Sequence, residues 1–247
     1  MDKARLARLQ EKLAQKVQIP PGNSGYQPQP NNVVFGLDVQ YVKDKAYVAL
    51  DVQKWEGENV GTWVGLAHVE VPYVPQFFCF REGPPLLKMV RAAHRRLAFQ
   101  PDLIVVDGHG VAHPRRFGVA CWLGVRTDVP TIGCAKETLV RYREEIEKKR
   151  GNYVLIEDKD EIVGAVLVTR DNTKPVFVSP GHRISLKIAI DVILKLSPRY
   201  RIAEPLRRAD HRARACAKEI TGADARSLFC RGGVEERERL LKDFFIL

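Results

Sequence analysis

The chain has 247 residues, 45% of them hydrophobic and 28% charged, and a formal net charge of +10 at pH 7. No apolar run approaches the ~20 residues of a membrane span, so we expect no association with a membrane. Five scattered cysteines without a Cys-x-x-Cys pair favour neither a disulfide framework nor a zinc site. Together with the lack of an apolar secretion signal, they predict a cytoplasmic protein. The positive charge predicts a polyanionic partner, nucleic acid first, although a merely basic soluble surface would give the same excess.

The first part of the chain is predicted to form a helix, a connector and an antiparallel meander. The helix covers roughly residues 2–17, and the connector that follows, up to residue 32, is rich in Pro, Gly and Asn. Alternating apolar residues then predict three strands, at 33–41, 46–52 and 63–71. Asp38 falls on the face of the first strand opposite its apolar row. Strand propensity disfavours an aspartate there, so something should compensate it.

The rest of the chain is predicted to alternate helices with buried strands. Helices are expected at about 84–98, 115–126 and 184–196, with a final basic helix from Glu204, and strands at 102–107, 131–135, 162–169 and 175–178. Pro84 and Pro85 suit the first turn of the first of these helices. The charged residues of 141–161 predict an exposed excursion. This order predicts an α/β fold with a mixed sheet.

The same pattern predicts a single domain over residues 1–247. It comprises an N-terminal helix and linker over about 1–32, a core over about 33–220 and a basic C-terminal helical region over about 204–247. We expect a monomer.

The segment around Asp107 carries the strongest local indication of chemistry. The apolar run at 103–106 predicts a strand buried on both faces, and Asp107 follows at its carboxyl end. Gly108 and Gly110 permit a tight turn there. Ligands bind at the carboxyl ends of strands in open α/β sheets, which makes Asp107 a candidate for chemistry, with capping of the next helix as the alternative.

Four acids lie on a strand face or at an element junction rather than in a solvated run: Asp38, Glu82, Asp107 and Asp210. Carboxylates that are brought together need cations, and hard oxygen ligands suit Mg²⁺ or Mn²⁺. Such ions clamp a phosphodiester and activate water for in-line attack. They would also relieve the repulsion between an acidic cluster and the polyanion that the basic surface attracts.

Seven segments together resemble the endonuclease V family, the inosine-directed nucleases of ribonuclease H-like fold. They are GLDV at 36–39, PYVP at 72–75, FREGP at 80–84, DGHGVAHPRR at 107–116, GCAK at 133–136, VSPGHRIS at 178–185 and EPLRRAD at 204–210. The segments occur in the family's order and span about residues 33–215. The resemblance implies a ribonuclease H-like mixed sheet flanked by helices, with the antiparallel meander followed by parallel strands.

The resemblance also implies roles for the polar residues. Asp38, Glu82 and Asp107 would hold Mg²⁺, with Mn²⁺ as a substitute, and Asp210 matches the family's fourth metal-site residue. Lys136 matches a lysine near the scissile phosphate, where its charge could stabilise the transition state. His113 matches another site histidine, which would contact phosphate or position water. Alternatives remain: Asp210 as a surface acid that pairs with Arg207 or Arg214, and His113 as a helix cap.

The segment Pro72-Tyr73-Val74-Pro75 resembles the family's wedge. Two prolines stiffen the loop, so Tyr73 can be held for insertion between bases. The flipped base would enter a pocket near Gly83 and Gly108, where main-chain groups could read hypoxanthine. A plain turn with a packed tyrosine is the alternative.

The resemblance therefore implies a metal-dependent endonuclease that acts in DNA repair. It would recognise inosine in nucleic acid and hydrolyse the second phosphodiester bond on the 3′ side of the lesion. Two alternatives remain: an inosine-specific endoribonuclease that acts mainly on RNA, and a catalytically silent nucleic-acid-binding module. Trp122 stands where relatives often carry His, which puts the finer contacts to nucleic acid in doubt.

Overall fold

The computed structural model describes residues 2–69, 71–142, 145–222 and 244–246. In chain order the described elements are α1 (Lys3–Ala14), β1 (Val33–Val42), β2 (Lys45–Lys54), β3 (Asn59–His68), α2 (Phe78–Leu97), β4 (Leu103–Val106), α3 (Val119–Thr127), β5 (Thr131–Ala135), β6 (Tyr153–Asp158), β7 (Glu161–Leu167), β8 (Val176–His182), α4 (Leu186–Leu196), α5 (Glu204–Gly222) and β9 (Phe244–Ile246).

The described strands form one mixed sheet in the order β6-β7-β8-β5-β4-β1-β2-β3-β9. Strands β1, β2 and β3 pair as the predicted antiparallel meander. Strands β1, β4 and β5 are parallel, and β8 and β7 continue the sheet in antiparallel fashion. All four residues of β4 are buried, as expected for a central strand covered on both faces. The predicted mixed α/β architecture is confirmed.

Helices cover both faces of the sheet. On one face, Phe35 and Leu37 of β1 pack with α2 and α3 in a single apolar cluster. On the other face, Val34 packs with residues of α4 and the start of α5, and Tyr47 of β2 packs against the alanines of α5. The face of β1 that carries Asp38 is therefore covered by α5 up to Gly36, and Asp38 itself is partly exposed. Asp38 therefore faces α5, although it lies on a central strand.

Helix α2 begins earlier than predicted. It starts at Phe78, so Pro84 and Pro85 lie inside the helix rather than in its first turn. The N-cap residue Phe77 makes no side-chain capping bond, which leaves this start without a local sequence signal. The earlier start places Glu82 in the body of the helix, buried, and not at its entrance.

Helix α3 begins later than predicted, at Val119. Residues 113–117 form turns instead, in which the Arg116 N–H donates to the His113 carbonyl at 2.8 Å. Arg116 has a φ of +55°, a left-handed conformation that does not continue into a helix.

The predicted excursion over residues 141–161 was wrong for its second half. Residues Tyr153–Asp158 form β6, which pairs with β7 through a turn at Lys159 and Asp160. Only Ile156 of this strand is fully buried. A charged edge strand lacks the apolar pattern of an inner one, so its pairing partner decides its conformation.

Other sequence expectations are met within the described residues. Strand β5, the β7–β8 pair and helix α4 lie where the pattern predicts them. The described cysteines are all free and buried, and Cys230 lies outside the described residues. None of the helices in the described ranges has both the length and the apolar character of a membrane span. The predicted basic C-terminal region is described only up to Gly222 and at 244–246.

A buried ion pair anchors α5 to the sheet. Asp51 of β2 is 0% exposed, and its two carboxylate oxygens accept hydrogen bonds at 2.8 Å from the guanidinium of Arg208. Thr62 and Asn59 of β3 donate to the same carboxylate at 2.7 and 3.0 Å. Because four hydrogen bonds reach its two oxygens, the desolvated carboxylate is compensated. Arg208 lies two residues before Asp210, so this pair fixes the turn of α5 that carries the candidate site residue.

The substitution Arg208→Met should lower the free energy of unfolding by ~3–5 kcal/mol, because it leaves the Asp51 charge buried without its partner. Urea unfolding measures this change. The control Lys187→Met removes an exposed ion pair with Asp191 on α4 and should cost less than ~1 kcal/mol. Equal losses in the two variants would contradict the anchoring role.

Candidate active site

The parallel pairing of β1 with β4 places two of the predicted acids side by side. Leu37 pairs with Val106, so Asp38, in the middle of β1, and Asp107, just after β4, follow directly where this pairing ends. The Asp107 N–H donates to the Leu37 carbonyl at 3.1 Å, which extends this pairing by one residue. The two adjacent parallel strands therefore present their carboxylates to one point, although β1 itself continues to Val42.

All four predicted acids line a single cavity of about 380 Å³. Glu82 reaches it from α2 and Asp210 from α5, on opposite sides of the strand ends. The cavity is lined by Asp38, Val39, Gln40, Tyr73, Gln76, Phe78, Cys79, Glu82, Asp107, Gly108, His109, His113, Gly118, Val119, Ala135, Lys136, Glu137, Leu139, Asp210 and Arg214. Residues that are distant in sequence thus lie around one cavity.

The carboxylates repel one another. Burial raises the pKa of Asp38 well above its usual range, and the neighbouring charge of Asp107 raises it further. Burial likewise raises the pKa of Glu82, and the charges of Asp38 and Asp107 add to the effect. Raised pKa values are typical of carboxyl groups that are buried close together with few positive charges nearby.

Lys136 supplies part of the compensation. It follows β5, and its Nζ lies 2.5 Å from Oδ2 of Asp107 and 3.9 Å from Oδ1 of Asp210. Although burial opposes its charge, the surrounding carboxylates raise the pKa of Lys136 above its ordinary value. The ammonium group is therefore positively charged at neutral pH and half-buried within the acidic cluster.

Asp210 remains ionised beside the guanidinium of Arg214. Although burial opposes ionisation, hydrogen bonds from Arg214 and Asp38 and the charge of Lys136 lower the pKa of Asp210. The Arg214 Nε lies 2.8 Å from Oδ1 of Asp210. Of the alternatives for Asp210, the pair with Arg214 is present, whereas Arg207 pairs with Glu204. Asp210 also faces the other acids, so the ion pair does not remove it from the site.

The chemistry of this donor set fits a hard divalent cation. The set consists of carboxylate oxygens, which Mg²⁺ and Mn²⁺ prefer, and burial and mutual repulsion raise the pKa values of Asp38 and Glu82, an effect that a cation would oppose. Within the described ranges, however, no three His, Cys, Asp or Glu side chains are already arranged so that they could hold a metal ion. The fit is thus one of ligand type and charge, and the ligands are not preassembled.

His113 is held in a hydrogen-bonded network. It is buried, its Nε2 lies 3.0 Å from the Gln76 carbonyl, and its Nδ1 accepts from the Arg115 N–H at 3.1 Å. Burial, together with the charge of Arg115, lowers the pKa of His113 to about 4, so the ring is neutral. It does not cap α3, whose N-cap is Gly118. Contact with phosphate stays a prediction.

The predicted wedge forms an exposed loop beside the cavity. Tyr73 is 63% exposed, and its ring meets the edge of Phe78 at 5.9 Å between centroids. The loop is tied down where it begins, because Arg81 of α2 donates to the Val71 carbonyl at 2.8 Å. The tyrosine therefore projects from a loop with a fixed base, as a wedge requires.

The two glycines assigned to the base pocket have different surroundings. Gly108 lines the cavity at a φ of +148°, and a Cβ atom there would lie 2.5 Å from Val119. Gly83 lies inside α2, where a Cβ atom would meet the Trp122 indole at 2.4 Å. The structure thus gives Gly83 a helix-packing role, and it does not line the cavity. Trp122, the residue that departs from the family pattern, fills this close contact.

Sequence reasoning missed the apolar walls of the cavity. Phe78, Val119 and Leu139 come from three separate segments and line the cavity, where Phe78 contacts Tyr73 and Val119 lies next to Gly108. It also missed His109, whose Nδ1 is buried without a hydrogen-bond partner among the described residues. Burial lowers the pKa of His109 to about 4. The sequence offers no local signal for these residues beyond their nearness to the motifs.

The mixed sheet and its flanking helices have the ribonuclease H-like fold, and the relatives of the chain are nucleases. The endonuclease V family model matches residues 11–211 of the chain. Endonuclease V of Geotalea uraniireducens is 41% identical over 225 residues, which cover 91% of this chain and 92% of that protein. Endonuclease V of Dictyoglomus turgidum is 44% identical over 191 residues, which cover 76% and 82%. The chain belongs to the endonuclease V family.

Solved structures agree with this assignment. The crystal structure of endonuclease V from Streptomyces avermitilis has a TM-score of 0.79 at 38% identity and covers 89% of this chain and 95% of that one. Ciona intestinalis endonuclease V, in complex with a 24mer DNA containing an inosine followed by a ribo-adenosine, has a TM-score of 0.77 at 27% identity. That match covers 88% of this chain and 98% of the Ciona chain.

The substitution Glu82→Gln should stabilise the protein in the presence of a chelator. The raised pKa means that the folded protein holds a proton that the unfolded chain releases, so stability falls as the pH rises above the ordinary glutamate value of 4.5. Without this carboxyl, we expect a gain of at least about 1 kcal/mol at about pH 7.5, which disappears near pH ~4.

Urea unfolding at the two pH values checks this expectation. The control Glu11→Gln alters an exposed glutamate of α1 and should change the free energy of unfolding by less than ~0.5 kcal/mol. A stability of Glu82→Gln equal to that of the wild type at the higher pH would show that Glu82 carries no ionisation penalty.

Proposed function

We propose that the protein is a divalent-metal-dependent endonuclease that recognises inosine in nucleic acid and hydrolyses the second phosphodiester bond 3′ to it. The observation that carries this proposal is the single cavity in which Asp38, Glu82, Asp107 and Asp210 meet Lys136 beside the loop of Tyr73. A reaction centre and a base-sized space share this cavity. The inosine-containing DNA bound by the Ciona relative supports the choice of lesion.

Asp38, Glu82 and Asp107 would hold the cation, and Asp210 would support them from α5. When bound, a divalent cation would activate water and neutralise charge on the scissile phosphate. Lys136 has its ammonium group between Asp107 and Asp210 and can stabilise the extra negative charge of the transition state. Arg214, which also lines the cavity, adds a second positive charge at the same edge. These cations offset the repulsion between the acids and the incoming phosphate.

Recognition of the base would rest on the wedge and the apolar walls. Tyr73 can fill the gap that the flipped base leaves in the stack, which offsets an unstacking cost of a few kcal/mol. Hypoxanthine differs from adenine by a carbonyl acceptor and a ring N–H donor, and the main chain at Gly108 can read such a change. We further propose that crowding of the extra amino group excludes guanine, so equal cleavage of guanine-containing strands would refute this part.

RNA is a second candidate substrate. The Ciona complex contains a ribo-adenosine directly after the inosine, which favours a site that accepts a 2′-hydroxyl at that position. The same carboxylates would serve both substrates. A catalytically silent binding module is disfavoured, because such a module would not need four crowded acids.

A role in DNA repair, a cytoplasmic location, a monomeric state and a single domain over residues 1–247 belong to the same proposal. The free and buried state of the described cysteines supports a reducing compartment.

The decisive experiment incubates the protein with end-labelled strands that carry one inosine, adenine or guanine, as matched DNA and RNA, with Mg²⁺ or with a chelator. We expect cleavage one nucleotide beyond inosine only when Mg²⁺ is present. The substitution Asp107→Asn should lower the rate by about 100-fold or more, because it removes a ligand charge. Affinity should stay within about threefold, because phosphate contacts dominate nucleic-acid binding.

The control Asp191→Asn, an exposed acid of α4, should leave the cleavage rate unchanged. Cleavage by Asp107→Asn at the wild-type rate would remove the metal assignment. Absence of cleavage by the wild type with both Mg²⁺ and Mn²⁺ would favour the silent binding module. The ratio of the DNA and RNA rates decides which sugar is preferred.

The substitution Tyr73→Ala should weaken binding of inosine-containing strands by about tenfold, because stacking of a base on an aromatic ring contributes ~1–3 kcal/mol. Its dependence on Mg²⁺ concentration should not change, because Tyr73 is not among the proposed ligands. Tyr73→Phe keeps the ring and should bind like the wild type. Tyr153→Ala removes another exposed tyrosine, on β6, and is the matched control. Fluorescence anisotropy measures the affinities, and an unchanged affinity of Tyr73→Ala would contradict the wedge.

A further inference from the structure

Gln10 is buried in a helix that otherwise lies at the surface. It is 0% exposed and is the one fully buried residue of α1, whose residues are all described. An amide side chain in such a position is costly unless its donors and acceptor are satisfied. Its partners therefore indicate what α1 contributes to the fold.

The Gln10 amide connects α1 with two loops of the site. Its Nε2 donates to the Phe117 carbonyl at 2.6 Å and to the Gln76 carbonyl at 3.3 Å. Its Oε1 accepts from the Arg115 Nε at 2.6 Å. Gln76 directly follows the wedge Pro72-Tyr73-Val74-Pro75, and residues 115–117 precede α3, which carries the cavity residue Val119.

The Gln76 carbonyl is the centre of this network. Besides Gln10, the Arg115 Nη2 donates to it at 2.9 Å and the His113 Nε2 at 3.0 Å. Because the His113 Nδ1 accepts from a backbone N–H, the proton of the neutral ring lies on Nε2, as this bond requires. Gln76 has a φ of +67°, which is uncommon for a residue other than glycine. The converging donors hold its peptide in that conformation.

The loop that carries Tyr73 is thus tied at both ends. Arg81 holds the Val71 carbonyl before the wedge, and the Gln10 network holds the Gln76 carbonyl after it. Gln76 also lines the cavity, so a rotation of its peptide would change both the aim of Tyr73 and the shape of the base-binding space.

We propose that Gln10 is a positioning residue for inosine recognition, through which α1 sets the orientation of the Tyr73 loop. The inference rests on the proposed function. Gln10 does not touch the nucleic acid: it acts through Gln76, Arg115 and Phe117. It lies just before the segment that the family model matches, residues 11–211.

The test compares Gln10→Met, which keeps the side-chain length but removes the hydrogen bonds, with Glu11→Met at the exposed neighbouring position. Binding of inosine and adenine duplexes is measured in chelator, with 2-aminopurine next to the lesion as a reporter of unstacking. We expect Gln10→Met to lose about tenfold in the preference for inosine over adenine, and most of the fluorescence rise. The position of the cut and the dependence of cleavage on Mg²⁺ concentration should match the wild type, since the acids are untouched.

Glu11→Met should match the wild type in both measurements. Because loss of a buried amide can prevent folding, Arg115→Lys is measured in parallel. It retains the charge but not the planar guanidinium that bonds both Gln10 and the Gln76 carbonyl, and it should shift the preference in the same direction. Wild-type preference in the folded variants, or an equal loss of affinity for inosine and adenine, would overturn the inference. A wild type without any preference for inosine would instead refute the proposed function.

Discussion

The carboxylates that are confined to one cavity repel one another, and the elements around the cavity hold them together against this repulsion. The parallel register of β1 and β4 forces Asp38 and Asp107 together, and Glu82 approaches from α2. An arrangement of this kind lowers stability unless cations oppose it. Lys136 provides one positive charge within 2.5 Å of Asp107, and Glu82 keeps a raised pKa because it is buried and lies near the charges of Asp38 and Asp107. The same repulsion that destabilises the cluster of acids would favour a divalent ion and a phosphate beside it.

The fold resists this repulsion by anchoring the elements at a distance from the acids. Helix α5 carries Asp210 toward the other carboxylates, yet it is held by the Asp51–Arg208 pair, whose carboxylate is fully buried and fully hydrogen-bonded. On the opposite face, Gly83 lets α2 approach Trp122 of α3, which fixes the helix that carries Glu82. The site is thus held by contacts that do not take part in its chemistry.

Local sequence patterns were sufficient to predict most of the strands and helices that carry the four acids. They did not predict where α2 begins, what surrounds Gly83 or that β6 is a strand. Buried strands follow from local patterns, so Asp38 on the face of one strand and Asp107 at the end of another could be expected. The start of α2 could not be predicted, because Phe77 makes no side-chain capping bond. Pro84 and Pro85 favour a first helical turn but lie inside the helix. Gly83 was assigned to the pocket because a glycine exposes its main chain, whereas only the packed structure shows that it faces Trp122. Strand β6 depends on its partner β7, a contact that no local pattern reports.

The two halves of the site differ in how they are kept in place. The acids stand on strands and helices, whose regular hydrogen bonds fix them directly. Tyr73 stands on an irregular loop, where side chains must hold individual carbonyls instead, as Arg81 does at Val71 and Gln10 does at Gln76. Bonds of this kind can change with a single side chain while the sheet remains intact. Recognition of the base can therefore diverge between relatives by substitutions far from the cavity, whereas the carboxylates cannot be rearranged without changing the fold.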